Sequence, residues 1–345
     1  MSNKSKMVDQ REPRDIKNPK ETVLNWLKKC EDTDTKPWEY DFKYEIYKNT
    51  ERIKNKLKET NERKHIELLL ETWQDDKAFG YVMETEDSDL AQCIYKILWG
   101  SHSKNATKSK GDVDADVMNS FWYTFKYYLR SVDKNEVFIK NGFNRNAPTK
   151  SAKELTDDEK EEFKCKYGCE YGGKFKLEKT LISGEKFWLT FVLENMDVFL
   201  KGKSEVVTEL DKYAKLTHTI GNFTLVTKGF NSGRGGDDYW DHALKEMKNQ
   251  TQVLFGGGFE HYVDKFFMSG DDIDYVKNGE VEPWITRSEK GKIESFLKKV
   301  NPKIEARGKK IIKELLEKLE KQVADADKER LSSYKEELFK CESNC

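Results

Sequence analysis

Apolar residues in this chain recur mostly three and four positions apart, a period that commits it to amphipathic helices and leaves little room for sheet. The pattern is clearest towards the end of the sequence. Ile304, Ile311, Ile312, Leu315, Leu316, Leu319 and Val323 form one stripe, and Leu331, Tyr334, Leu338 and Phe339 form a second. Ala324-Asp325-Ala326-Asp327 lies between them. The two stripes predict a helical hairpin, or one long helix, packing on the body or on a partner chain. Charged residues make up 36% of the 345 positions, as many as the apolar ones, so these helices must carry wide solvated faces. Aromatic residues at 12% exclude wholesale disorder, because unfolded chains are poor in Trp, Tyr and Phe.

Local signals divide the rest of the chain. Residues 1–18 are polar and are expected to be a disordered tail. Asn18-Pro19 opens a helix with a cap and a proline at its first position. Lys36 to Tyr47 alternates aromatic and charged residues, which fits a short strand or an irregular packed arm. Ile53, Leu57, Ile66, Leu69, Leu70 and Trp73 mark another helix. Leu90 to Trp99 is a compact apolar helix between an Asp87-Ser88-Asp89 cap and Gly100. Met118 to Leu129 is aromatic on nearly every side, as a central buried helix would be. A linker is expected between about 140 and 155, and Thr156 to Glu159 is a capping box.

The reading is therefore mainly α (α+β): a helix-rich, two-lobed body with a small β component around residues 172–230 and a C-terminal helical extension. The segments are a helical lobe over 19–145, a mixed lobe over 155–288 and the C-terminal helices over 289–345.

Composition also limits function. Lys and Arg number 62 against 63 Asp and Glu, so no overall basic charge draws the chain to nucleic acid. No apolar run is long enough to span a bilayer, and the first residues lack the apolar core of a signal peptide. A cytoplasmic protein with no membrane partner is expected. Cys165 with Cys169, and Cys341 with Cys345, share one spacing and offer four thiolates to zinc; reduced free thiols are the plainer reading.

The densest polar stretch runs from Leu216 to Met247. A short strand, Phe223 to Val226, leads into a loop with Gly229, Gly233, Gly235 and Gly236, and a helix begins at Asp237-Asp238. Such a unit gathers His218, Asn222, Asn231, Arg234, Asp241 and His242. These are the side chains a metal-assisted phosphodiesterase needs: a base for water, ligands for one divalent cation, and a cation for phosphate. His218, Asn222 and Asn231 are the catalytic candidates, with Asp241 and His242 for the metal. Arg234 suits phosphate contact, as do Lys104, Lys108 and Lys110 in the loop after Gly100.

His218-Thr-Ile-Gly-Asn222-Phe-Thr-Leu, with Asn231 nine residues after Asn222, resembles a segment of the HNH-type nuclease domains at the C-terminus of GmrSD-type restriction enzymes. The longer string, with Gly-Arg-Gly and Asp-Tyr-Trp-Asp, is similar to a family of uncharacterised bacterial proteins, whose pattern also takes in Gly111-Asp112 and Met118-Asn119-Ser120. The resemblance covers about 30 residues. It implies a nucleic-acid-acting protein of prokaryotic or phage origin, either an HNH-like metal-dependent nuclease or an inactive derivative, in defence against foreign DNA. In the GmrSD group an earlier strand supplies the base from a His-x-x-Pro context, and no histidine lies between Lys104 and Leu216 here.

The same residues have a plain structural reading. Asn222 after Gly221 suits backbone groups at a strand edge, Asn231 a turn, and His242 a solvated helix face. The alternative function is a non-enzymatic interaction protein that assembles as a homo-oligomer, or with a protein partner, through residues 303–345.

Overall fold

The computed structural model describes residues 18–47, 65–70, 85–100, 113–119, 121, 124–125, 128, 156–158, 161, 200, 204–227, 265–267 and 292–340. Helix accounts for 79% of this part and the sheet is a single pair of strands, so the chain is mainly α with a small β component. The expected linker at 140–155 and the four-cysteine set lie outside the described residues, as does the tail before Asn18.

Helix α1 (Pro19–Asp32) starts as its sequence requires. The Asn18 side chain accepts from the Glu21 N–H at 3.3 Å, and Pro19 fills the first helical position. Its inner face buries Val23, Trp26, Leu27 and Cys30. The arm that follows is neither strand nor irregular. Pro37–Glu39 form a tight 3-10 turn, and Asp41 then caps a short helix α2 (Phe42–Tyr47) by accepting the Lys43 and Tyr44 N–H groups at 2.9 and 2.8 Å. Proline without an N–H and an Asp cap three residues before Tyr44 overrode the alternating pattern. Helix α3 (Asp89–Trp99) runs from a Ser88 cap to Gly100 at φ 69°, with its inner face on α1. Phe121 and Phe125, from the aromatic segment, are fully buried and stack at 5.3 Å between centroids.

Strand β1 (Val113–Val117) pairs antiparallel with β2 (Phe223–Thr227), in a register that sets Val117 opposite Phe223 and Asp116 opposite Thr224. One half of the sheet thus lies far upstream of the 172–230 region in which strands were expected. A five-residue strand with aspartate at alternate positions carries little apolar signal, and only its distant partner defines it.

Helix α4 (Glu205–Thr217) leads into the 3-10 turn Ile220–Asn222 and so into β2. The spine of the molecule is helix α5 (Lys292–Glu320), which contacts α3, α4, the Pro37–Glu39 turn and the Ile220–Asn222 turn. Ile304, Ile311, Ile312, Leu315, Leu316 and Leu319 are all fully buried. Helix α6 (Asp325–Phe339) folds back on α5, with Lys335 paired to Glu320 at 3.0 Å and Phe339 packed on Trp38. The C-terminal stripes therefore form a hairpin, and they pack on the body.

Candidate functional site

Residues 217–222 close α4 and open the turn that feeds β2, so their side chains point into the body among backbone groups. Asn222 is fully buried. Its Nδ2 donates to the Thr217 carbonyl at 2.8 Å and the Asn119 carbonyl at 3.0 Å. Its Oδ1 accepts from the Asn119 backbone N–H at 3.2 Å and from Asn119 Nδ2 at 3.3 Å. The Asn222 carbonyl in turn accepts from the Met118 N–H at 2.8 Å. Asn222 is thus the clasp that holds the end of α4 and the end of β1 to one turn, and both its amide atoms are committed to it.

His218 caps the C-terminus of α4 and is 7% exposed. Its carbonyl accepts the Phe42 N–H at 2.9 Å, and its Nδ1 meets the Thr85 hydroxyl at 3.0 Å. Nε2 is buried with no hydrogen-bond partner among the described residues. Burial, and then the nearby Lys43 ammonium, hold the imidazole well below its usual pKa, so it is neutral at physiological pH. Among the described residues, His218 and Asn222 sit on one turn yet share no partner: one reaches Thr85, the other Asn119 and Thr217.

Asp116 and Arg307 are further buried polar groups on the neighbouring elements. Asp116 on β1 is 4% exposed, and its Oδ1 accepts the Val117 N–H at 2.8 Å. Arg307, on α5, is 2% exposed and reaches across to the turn. Its Nη1 donates to the Gly221 and Phe223 carbonyls at 2.7 and 2.6 Å, and its Nε to the Phe266 carbonyl at 3.0 Å. Gly221 and Gly308 make the backbone approach beside it, where a Cβ on Gly221 would overlap the Ile304 carbonyl oxygen.

Asn231, Arg234, Asp241 and His242 lie outside the described residues, as do Lys104, Lys108 and Lys110. Among the described residues, no group of three or more His, Cys, Asp or Glu side chains is gathered as a metal ion would need. The described part alone therefore does not fit a divalent cation, and no chemical step is derived through one. Sequence reasoning missed Thr85, Lys43 and Arg307, and it took in Asn119 only as part of the upstream Met118-Asn119-Ser120 fragment. Only Gly308 carried a usable signal, a glycine amid strong helix formers where it costs about 1 kcal/mol unless something approaches closely.

Compared with protein-family models, curated proteins and solved structures, the chain matches none.

The clasp has a measurable consequence. Asn222→Ala strands the Thr217 and Asn119 carbonyls and the Asn119 N–H, each in the interior. A loss of about 2–4 kcal/mol is expected, read as a lower urea midpoint with an unchanged slope. A variant as stable as the parent would show that the clasp contributes nothing.

Proposed function

We propose that the chain is a divergent nucleic-acid-acting protein built on an HNH-like element, with β1, β2 and the Ile220–Asn222 turn as the part retained. The observation that supports this reading is the pairing of β1 with the strand that follows His218-Thr-Ile-Gly-Asn222. The GmrSD-type resemblance calls for an earlier strand bearing His-x-x-Pro. β1 runs out through Asp116-Val117-Met118-Asn119, an acid three residues ahead of an Asn that is bonded to the motif's own Asn222. Aspartate in that place exchanges an imidazole base for a carboxylate, a weaker base and a harder oxygen donor. The element keeps its strand order and loses its usual base, which favours binding, with hydrolysis altered or lost.

The alternative of assembly through residues 303–345 has less support. Ile304, Ile311, Ile312, Leu315, Leu316 and Leu319 of α5 are fully buried, so a deletion from 303 removes core along with any docking surface.

The test is binding and cleavage of plasmid, single-stranded DNA and RNA by the full chain, with Mg²⁺, Mn²⁺ or Zn²⁺, beside Asp116→Asn. That variant is nearly isosteric and keeps an oxygen for the Val117 N–H. Asn222→Ala is a poor probe because it loosens the fold. Binding by the parent is expected, with any metal-stimulated cleavage falling at least about a hundredfold in Asp116→Asn. Binding of duplex DNA without cleavage identifies an inactive derivative, whereas binding confined to single strands without cleavage counts against the reading. Neither binding nor cleavage would sink the reading.

A further inference from the structure

A second polar surface lies away from the β1–β2 unit, on the outer side of the α5–α6 hairpin. Here the last turn of α6 approaches the middle of α5 and leaves a groove of about 410 Å³. That volume falls within the roughly 300–1,000 Å³ of small-molecule sites. One wall is Phe339, which packs on Trp38 with centroids 5.6 Å apart. The floor includes Pro302 and Ala306, small or rigid and exposed. The other wall is basic: Lys309, Lys310 and Lys313 stand within five residues of α5.

These cations differ in what they do. Lys309 lies over the Trp38 ring at 5.6 Å and pairs with Glu305 at 3.7 Å. Glu305, the acid in the groove, is also held by Lys212 at 3.2 Å, so its charge is already offset. Lys310 and Lys313 are exposed and make no hydrogen bond or ion pair among the described residues. Three residues apart on one helix, they face the same way, and two like charges so placed repel. Among the described residues, positive charge thus stands without a paired acid at the mouth of a groove with an aromatic wall.

We propose that this groove binds a nucleotide, free or as one unit of a single strand, with Lys310 and Lys313 on the phosphate and Phe339 against the base. A point-charge ammonium suits phosphate, and an aromatic face suits any base regardless of sequence. An acidic peptide would satisfy the lysines but has no use for a pocket of this size beside one ring. The inference does not depend on the β1–β2 reading, since neither Asp116 nor the turn contributes to the groove.

The test uses the full chain with three probes: a fluorescently labelled short oligothymidylate, ADP, and inorganic phosphate as competitor, with polyglutamate as an acidic control. The variants are Lys310→Glu/Lys313→Glu, both exposed, and Phe339→Leu, which keeps packing on Trp38. Charge reversal is expected to weaken binding at least about tenfold and to flatten the salt dependence, by about 1.4 in log–log slope for the oligonucleotide. Phe339→Leu should weaken the nucleotide probes and leave phosphate competition unchanged. ADP binding as tight per phosphate as the oligonucleotide points to a free nucleotide; a strong preference for the strand points to single-stranded nucleic acid. Unchanged affinity on charge reversal, or polyglutamate binding equal to the oligonucleotide, overturns the proposal. Asp116→Asn should leave all three affinities unchanged, so failure here and failure of the HNH-like reading are separable.

Discussion

Gly221→Ala is expected to destabilise the folded chain by more than about 3 kcal/mol, a large part of what a domain of ordinary stability possesses. The added methyl would fall on the Ile304 carbonyl oxygen, with Gly308 N at 3.0 Å and Gly308 Cα at 3.1 Å. All three are main-chain atoms on the buried face of α5, so no side chain can swing aside. Either α5 moves off the turn or the turn moves off α5, and each breaks the Arg307 bonds to the Gly221 and Phe223 carbonyls. Gly308→Ala is the control. Its Cβ would stand 3.0 Å from Trp38 Cβ, a much milder overlap than a Gly221 Cβ would make with the Ile304 oxygen, while alanine gains about 1 kcal/mol of helix propensity. Its loss should be clearly smaller. Urea unfolding followed by circular dichroism measures both; a Gly221→Ala midpoint within experimental error of the parent would refute the close-approach argument.

Arg307→Met ranks second, with an expected loss of about 3–5 kcal/mol. Methionine fills similar volume, so the cost comes from the buried Gly221 and Phe223 carbonyls losing the Nη1 donor, and from the lost Nε bond to the Phe266 carbonyl. Arg307→Lys separates charge from shape. Lysine keeps the positive charge but cannot place donors on both Nε and Nη1 positions at once, so it should recover less than half of the loss. Full recovery by lysine would mean that charge alone holds the turn to α5.

Much of the helical scaffold was legible because local signals and burial agree there. Asn18-Pro19, Ser88 with Gly100, and the stripe from Ile304 to Leu319 each predict an element that the fold then needs. Strand β2 was legible too, as a short apolar run after Gly221. Strand β1 was not, since Val-Asp-Ala-Asp-Val becomes a strand only through a partner more than a hundred residues away. The same limit applied to Arg307. A single arginine among the lysines of an amphipathic helix reads as solvated, and only the approach of Gly221 to Gly308 turns it inward. Of the polar motif, the sequence located His218 and Asn222 on one turn but could not give their direction. Direction follows from Thr85 and Asn119, both contributed by segments about a hundred or more residues upstream of the motif.

The long reach of Arg307 also bears on how the chain acquires its structure. Gly221 and Arg307 are 86 residues apart. At roughly 5–20 residues per second, synthesis delivers the arginine about 4–17 s after the turn it secures. In that interval α4 and the turn exist without the helix that covers them, and their apolar faces are open to other chains. Local helix formation takes about a microsecond, so the arrival and docking of α5 set the pace of maturation. A nascent chain of this kind has reason to engage a chaperone until its spine is in place.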